Sequence, residues 1–278
     1  MLLTGATGQL GSAFRRLLYD ATPVGRHAVD LARPASVRQY LETHRPGGIV
    51  NCAGYTDVDG AEAEEDLATV INGESVGVMA SYAAEARVPF VTFSTDYVFD
   101  GAASEPYVES DLTRPISAYG RSKLAGEQAA LEANPNSLVV RTAWLMSATH
   151  PNFVSAMVGL AREGKALRVV ADQTGSPTHV EDLAAATVAA LGVGADGVLH
   201  LSNAGSATRF QLAQAALRLA GFDPEIVEPI ATSELPTPAA RPAYTALASE
   251  RLKALGLAPL PPWEESLVRI VAALEATA

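Results

Sequence analysis

Gly5, Gly8 and Gly11, spaced three apart directly behind the apolar run Met1-Leu-Leu3, constrain this chain more than any other feature. Glycine permits a tight turn and leaves no Cβ between the backbone and an approaching phosphate. The helix that these glycines open offers unpaired N–H groups and the positive end of its dipole. Such a loop suits the first strand-to-helix junction of a nucleotide-binding sheet. The simpler alternative is a glycine-rich turn that binds nothing. The position of these glycines at the head of an alternating pattern argues for the nucleotide.

Up to about residue 145, short apolar runs alternate with helical stretches. Helices are expected at about 9–19 and 34–44, and a long one runs up to Arg87. Strands are expected at Thr22-Pro-Val24, Gly48-Ile-Val50, Pro89 to Phe93 and Leu138-Val-Val140. The strand runs lack period-two alternation, as strands buried on both faces should. This predicts an α/β fold with a Rossmann-type doubly wound parallel sheet. Beyond residue 145 the rhythm loosens. Helices are expected at about 152–163, 180–192, 208–220 and 264–275, with a strand at Leu167-Arg-Val-Val170 and a loop from Pro229 to Pro242. The expected division is a dinucleotide-binding domain over 1–145, to which some later segments return, and a smaller, partly interleaved C-terminal substrate-binding lobe over 146–278. Met1 falls within the first strand, which is then unusually short, as a trimmed N-terminus would leave it.

Composition narrows the function. The formal charge is −11 and no lysine or arginine cluster stands out, which argues against nucleic acid as the partner. No apolar run approaches the roughly 20 residues of a membrane span, and no secretory signal pattern opens the chain. The single cysteine, Cys52, excludes an internal disulfide framework and fits a cytoplasmic setting. Five histidines are scattered without ligand spacing, so no metal site is expected. The acidic cluster Glu62, Glu64, Glu65 and Asp66 reads as a solvated face near a helix start.

Tyr119 and Lys123 lie four residues apart, on one face of a helix. A neighbouring ammonium favours the phenolate, so the pair is expected to bring the phenol down towards the working range of an acid–base catalyst. Thr95 ends the strand that reaches Phe93, where open α/β sheets hold their ligands, and its hydroxyl can donate to a carbonyl oxygen as charge builds there. Ser94 is its understudy. The alternative for both is a hydroxyl that satisfies a local turn. At the end of the second strand stands Val24-Gly-Arg26. A carboxylate there would bind a ribose 2′-hydroxyl, whereas Arg26 can meet a 2′-phosphate, so NADPH is expected over NADH. The alternative is a solvated arginine.

Several segments carry a family resemblance: Gly8-Gln-Leu-Gly11, Val50 to Asp59, Ser94-Thr-Asp-Tyr-Val-Phe-Asp-Gly101, Tyr119 to Glu127, Arg141-Thr-Ala-Trp144, Asp172 to Thr178 and Ala240-Arg-Pro242. With them the chain resembles the extended short-chain dehydrogenase/reductases, and among these the dTDP-4-dehydrorhamnose reductase branch. The resemblance implies cofactor contacts by Gly5, Gly8, Gln9, Leu10 and Gly11, by Arg26, Asp30 and Leu31, by Ala53, Gly54 and Tyr55, and by Tyr119 and Lys123. It implies sugar contacts by Thr56, Val58, Thr95, Asp96, Tyr119 and Trp144, with Gln173 at the nucleotide pocket. The implied substrate is a dTDP-linked 4-keto-6-deoxyhexose, dTDP-4-dehydro-L-rhamnose being reduced to dTDP-L-rhamnose. Alternatives are another dTDP-4-keto-deoxysugar of secondary metabolism, an epimerase or dehydratase with recycled NAD, and a non-catalytic NADP-binding regulatory subunit. The chain departs from the family at Gly60, at Cys52 and at Ala13, where some relatives carry an acidic residue used in a metal-bridged dimer. Either a monomer or a homodimer is expected.

Overall fold

The computed structural model describes residues 1–276. The first half comprises β1 (Leu2–Thr4), α1 (Gln9–Leu17), β2 (Thr22–Val24), α2 (Pro34–His44), β3 (Ile49–Asn51), α3 (Glu65–Thr69), α4 (Ser75–Ala86), β4 (Phe90–Thr95), α5 (Ala118–Ala133) and β5 (Leu138–Thr142). A π-helical turn at Val70–Glu74 joins α3 to α4. The second half adds β6 (Leu145–Met146), α6 (Phe153–Arg162), β7 (Leu167–Val170), β8 (Thr174–Gly175), β9 (Thr178–His179), α7 (Val180–Gly192) and β10 (Gly197–His200). It closes with β11 (Asn203–Ala204), β12 (Ala207–Thr208), α8 (Arg209–Leu219), β13 (Val227–Ile230), α9 (Arg251–Ala254), β14 (Leu260–Pro262) and α10 (Trp263–Ala276).

The central sheet is six-stranded, ordered β10-β5-β4-β3-β1-β2, and all of its pairings are parallel. Successive residues face opposite layers. Leu3, Phe93 and Val140 pack with Phe14 of α1 and Leu183 of α7. Leu2, Ile49 and Val139 pack with Val37 of α2 and Met79 of α4. Both faces are therefore apolar, which accounts for strands without alternation. Each such leucine or phenylalanine stabilises the fold by roughly 1.5–3 kcal/mol. The chain leaves β1 for β2 and returns to β3 on the other side, so the switch point lies between β1 and β3 at their carboxyl ends. Thr4 Oγ1 donates to Asn51 Oδ1 across it at 2.6 Å.

Three details differ from the expectations. The sixth strand, β10, is absent from the sequence reading because Gly-Val-Leu-His is short and opens on a glycine at φ +62°. Pro229 and Ile230 are not loop but pair with Val169 and Val170, where an edge ribbon tolerates proline. Met1 precedes β1, although its carbonyl accepts from the Thr22 N–H at 2.7 Å. Beyond the sheet, α6, α8 and α10 form a second apolar cluster around Val158, Leu212, Trp263 and Leu267. This layer faces the carboxyl ends of the strands through Trp144.

Candidate active site

Two of the three loop glycines are demanded by the fold. Gly5 sits at φ +61°, and a Cβ there would lie 2.6 Å from the Cys52 backbone. A Cβ on Gly11 would collide with the Gly5 carbonyl. Gly8 differs: its Cβ would meet only the Gly5 oxygen at 3.4 Å, an ordinary contact. Its bareness serves the space above it instead. Gly8 is also the N-cap of α1, and no side chain caps that helix. The loop is anchored from the second half of the chain, since Ser147 Oγ donates to Gln9 Oε1 at 3.0 Å and His150 Nε2 lies 3.0 Å from the Thr7 carbonyl.

On the β2 side the loop borders a cleft of about 360 Å³ that includes Gly5, Gly8, Arg26, Asp30, Leu31, Ala53 and Gly54. Arg26 is 80% exposed and reaches Asp30 Oδ1 at 3.5 Å. So exposed a pair contributes little, which leaves the guanidinium free to turn to a phosphate. Tyr55 does not join this wall. Asn72 pins its backbone, and its hydroxyl donates to Glu64 at 2.6 Å.

On the other side the space continues into a cleft of about 550 Å³ bordered by Gly8, Gln9, Leu10, Gly11, Thr56, Val58, Thr95, Asp96, Tyr119, Lys123 and Trp144. The start of α5 positions the reacting pair. Ser117 accepts from the Gly120 N–H at 3.1 Å, and Glu62 accepts from the Ala118 N–H at 2.8 Å. A Cβ on Gly120 would collide with the Tyr97 carbonyl, and one on Gly126 with the Asn72 carbonyl. These glycines let α5 lie against the end of β4 and against the π-helical turn. Asn72 of that turn donates to Ser122 Oγ at 2.9 Å. The acidic cluster is thus more than a solvated face: Glu62 caps α5, Glu64 holds Tyr55, and Glu65 pairs with Arg121 at 2.6 Å.

Thr95, Tyr119 and Lys123 converge in this cleft. Lys123 Nζ donates to the Phe93 carbonyl at 2.5 Å, and Thr95 Oγ1 donates to Asp96 Oδ1 at 3.0 Å. Burial raises the Tyr119 phenol above its ordinary value, with the Thr95 hydroxyl drawing it partly back and Asp96 adding to the rise. The direction is opposite to the expected lowering by lysine: desolvation sets it, and the Lys123 ammonium is turned to the Phe93 carbonyl instead. Burial also lowers Lys123 to about 8, partly offset by Glu127 and Cys52. Asp96 is raised to about 6 by burial, against hydrogen bonds from Thr245 and Thr95. Ser94 is unavailable as an understudy, since its hydroxyl donates to Glu127, which is held by Arg141 at 2.6 Å.

Trp144 has φ +44°, rare for a bulky residue, and its indole lies where a Cβ on Gly175 would stand. Gln173 stays outside the cleft, its Nε2 donating to Thr232 Oγ1 at 3.0 Å. Sequence reasoning misses Tyr97 and Arg209, both of which line the larger cleft. A signal for Arg209 exists. It is a cation in the first turn of α8, a place the helix dipole disfavours.

The model of the RmlD substrate binding domain family matches residues 1–276. A probable dTDP-4,6-dihydroxy-2-methyloxan-3-one 4-ketoreductase of Streptomyces antibioticus is 45% identical over 96% of this chain and 92% of its own length. The crystal structure of a dTDP-4-dehydrorhamnose reductase from Clostridium acetobutylicum superposes with a TM-score of 0.94 at 36% identity, covering 99% of each chain. That of a dTDP-4-dehydrorhamnose reductase from Bacillus anthracis, in complex with NADP, gives 0.93 at 38% identity and 98% coverage of both. With the glycine loop, the Tyr119–Lys123 pair and nearly the whole chain matched, this protein belongs to the RmlD substrate-binding-domain family.

Proposed function

We propose that this chain is an NADPH-dependent reductase of the C4 ketone of a dTDP-4-keto-6-deoxy sugar, with dTDP-4-dehydro-L-rhamnose as its substrate. One observation carries the reading: Thr95, Tyr119 and Lys123 share a single cleft with the loop of Gly8 and Gly11. The Clostridium and Bacillus relatives bear the reductase name, and the latter was solved with NADP. The Streptomyces relative, a 4-ketoreductase of another dTDP-sugar, keeps a different dTDP-4-keto-deoxysugar as the second reading.

The residues present suit the dinucleotide. Gly8 leaves room over an uncapped helix start, and Arg26 stands exposed at the far end of the adjoining cleft. Gly8 to Gly11 hold the pyrophosphate, Arg26 the 2′-phosphate, and Lys123 the nicotinamide ribose. When bound, NADPH supplies the hydride. Tyr119 gives its phenolic proton to the carbonyl oxygen, and its raised pKa keeps that proton in place at neutral pH. Thr95 has one proton, and turns it from Asp96 to the oxygen as negative charge builds there. Trp144 provides an apolar wall for the deoxysugar. Residues 1–145 with β10 thus serve the cofactor, and most of the later chain covers the substrate.

The test is NADPH oxidation in the presence of dTDP-4-dehydro-L-rhamnose or dTDP-4-keto-6-deoxy-D-glucose, with the alcohol product identified by mass spectrometry. Oxidation with the first establishes the reading, and oxidation with the second alone establishes the other sugar. No oxidation with either, while NADPH binds, points to a regulatory subunit.

A further inference from the structure

Arg209 opens on the larger cleft, and among the described residues it forms no ion pair. Its guanidinium lies over the Trp144 ring at 3.6 Å and near Phe153 at 5.3 Å, in surroundings so rich in protein that burial lowers its pKa. Among the described residues no carboxylate stands within ion-pair distance of it. Asp96 is the carboxylate whose field reaches it, but both of that group's oxygens are taken, Oδ1 by Thr95 at 3.0 Å and Oδ2 by Thr245 at 2.5 Å. Arg241, the next cation, is committed to Asp59 at 2.8 Å and repels Arg209. The hydrogen-bonding neighbour of Arg209 is the Tyr97 phenol, which burial keeps protonated, so the charge of the guanidinium is left without a compensating anion, and here it also sits in the first turn of α8. In a chain of net charge −11 such a cation is set against an anion that arrives from outside.

We infer that Arg209 binds the diphosphate of the nucleotide sugar, so that the stacked Trp144–Arg209 pair reads both halves of the substrate. The indole faces the apolar deoxysugar, and the guanidinium on its face takes the phosphate oxygens in the forked geometry that arginine favours. This rests on the nucleotide-sugar reading above and extends it from the reacting carbon to the leader group. It also gives a reason for the rare backbone at Trp144, since the left-handed turn brings the indole beneath the guanidinium.

The experiment is titration of the whole protein with dTDP and with thymidine, using wild type, Arg209→Met and Arg209→Lys, with NADPH affinity measured alongside. Methionine keeps the apolar stem against Trp144 and Phe153 but removes the charge. The expected result is a loss of dTDP affinity of about 10- to 100-fold in Arg209→Met. A partial return is expected in Arg209→Lys, with NADPH affinity and melting temperature near wild type. Thymidine, without phosphates, should bind all three alike. Equal dTDP affinity in wild type and Arg209→Met overturns the assignment and leaves the reductase reading intact. So does a loss confined to NADPH, which would give Arg209 to the cofactor. Failure of dTDP to bind wild type in the presence of NADPH instead removes the nucleotide-sugar reading, and this inference with it.

Discussion

Tyr119 and Lys123 stand one turn apart on α5, yet the ammonium donates to the Phe93 carbonyl and the phenol's hydroxyl neighbour is Thr95. The lysine is thereby tied to the strand that carries Thr95, and the tyrosine keeps its proton. A proton donor for ketone reduction needs that state, whereas a base would need the reverse.

This arrangement sets a pH profile. Lys123 loses its proton at about 8, so kcat/KM for the sugar should hold at neutral pH and fall above that value. The Tyr119 phenol, held above its ordinary range, adds no limb below it. Lys123→Met should remove the limb while slowing the reaction throughout. Tyr119→Phe should lose about 10²- to 10⁴-fold in turnover with NADPH binding retained. A profile that stays flat well beyond pH 9 in wild type, or near-normal rates in Tyr119→Phe, removes the pair from the proton transfer.

Gly8 and Gly11 should separate in mutation. Gly11→Ala drives a methyl into the Gly5 carbonyl, so its melting temperature should fall sharply or the protein should fail to fold. Gly8→Ala meets only an ordinary contact at 3.4 Å. It should melt like wild type and bind NADPH roughly tenfold more weakly. Fluorescence titration of NADPH checks this, and an unchanged affinity would show that the space above Gly8 holds no phosphate.

Arg26→Ala should raise the dissociation constant for NADPH by roughly tenfold or more, the loss of a charge-assisted hydrogen bond. NADH affinity should stay as it is. Arg26 is 80% exposed and its pairing with Asp30 is loose, so the melting temperature should not move. Equal effects on both cofactors would place the guanidinium on a group that they share.

Asp96 burdens the fold. Its pKa is raised by burial from 3.8 to about 6, so folding disfavours the ionised carboxyl. Below pH 3.8 the group is neutral whether folded or unfolded and costs nothing; the cost grows up to about 6 and persists above it. At neutral pH it is on the order of 3 kcal/mol. Asp96→Asn should therefore melt above wild type at pH 7, with the gap closing towards pH 4. Parallel thermal melts at the two pH values measure it, and a gap independent of pH contradicts the linkage.

Much of this protein is legible in its order of residues. The three glycines, the strands without alternation and the four-residue spacing of Tyr119 and Lys123 are local signals. Each depends on backbone geometry within a few positions, so each survives without knowledge of distant contacts. The edge strand β10 and the strand at Val227–Ile230 are not legible in this way, because such short segments pair only where a neighbouring strand already lies.

Tertiary structure alone decided the electrostatics and the far wall of the cleft. Burial is a property of many segments at once. It turned the phenol of Tyr119 upward where the neighbouring lysine predicts the opposite, and it occupied Ser94 with a glutamate on α5. Tertiary contacts also gave the side chains of Tyr55 and Gln173 other partners, Glu64 and Thr232. Arg209 entered because α8, more than sixty residues beyond Trp144 in sequence, lays its first turn across that indole. Spacing along the chain carries no trace of such a contact, since two residues so far apart meet only once the sheet and its covering helices have packed.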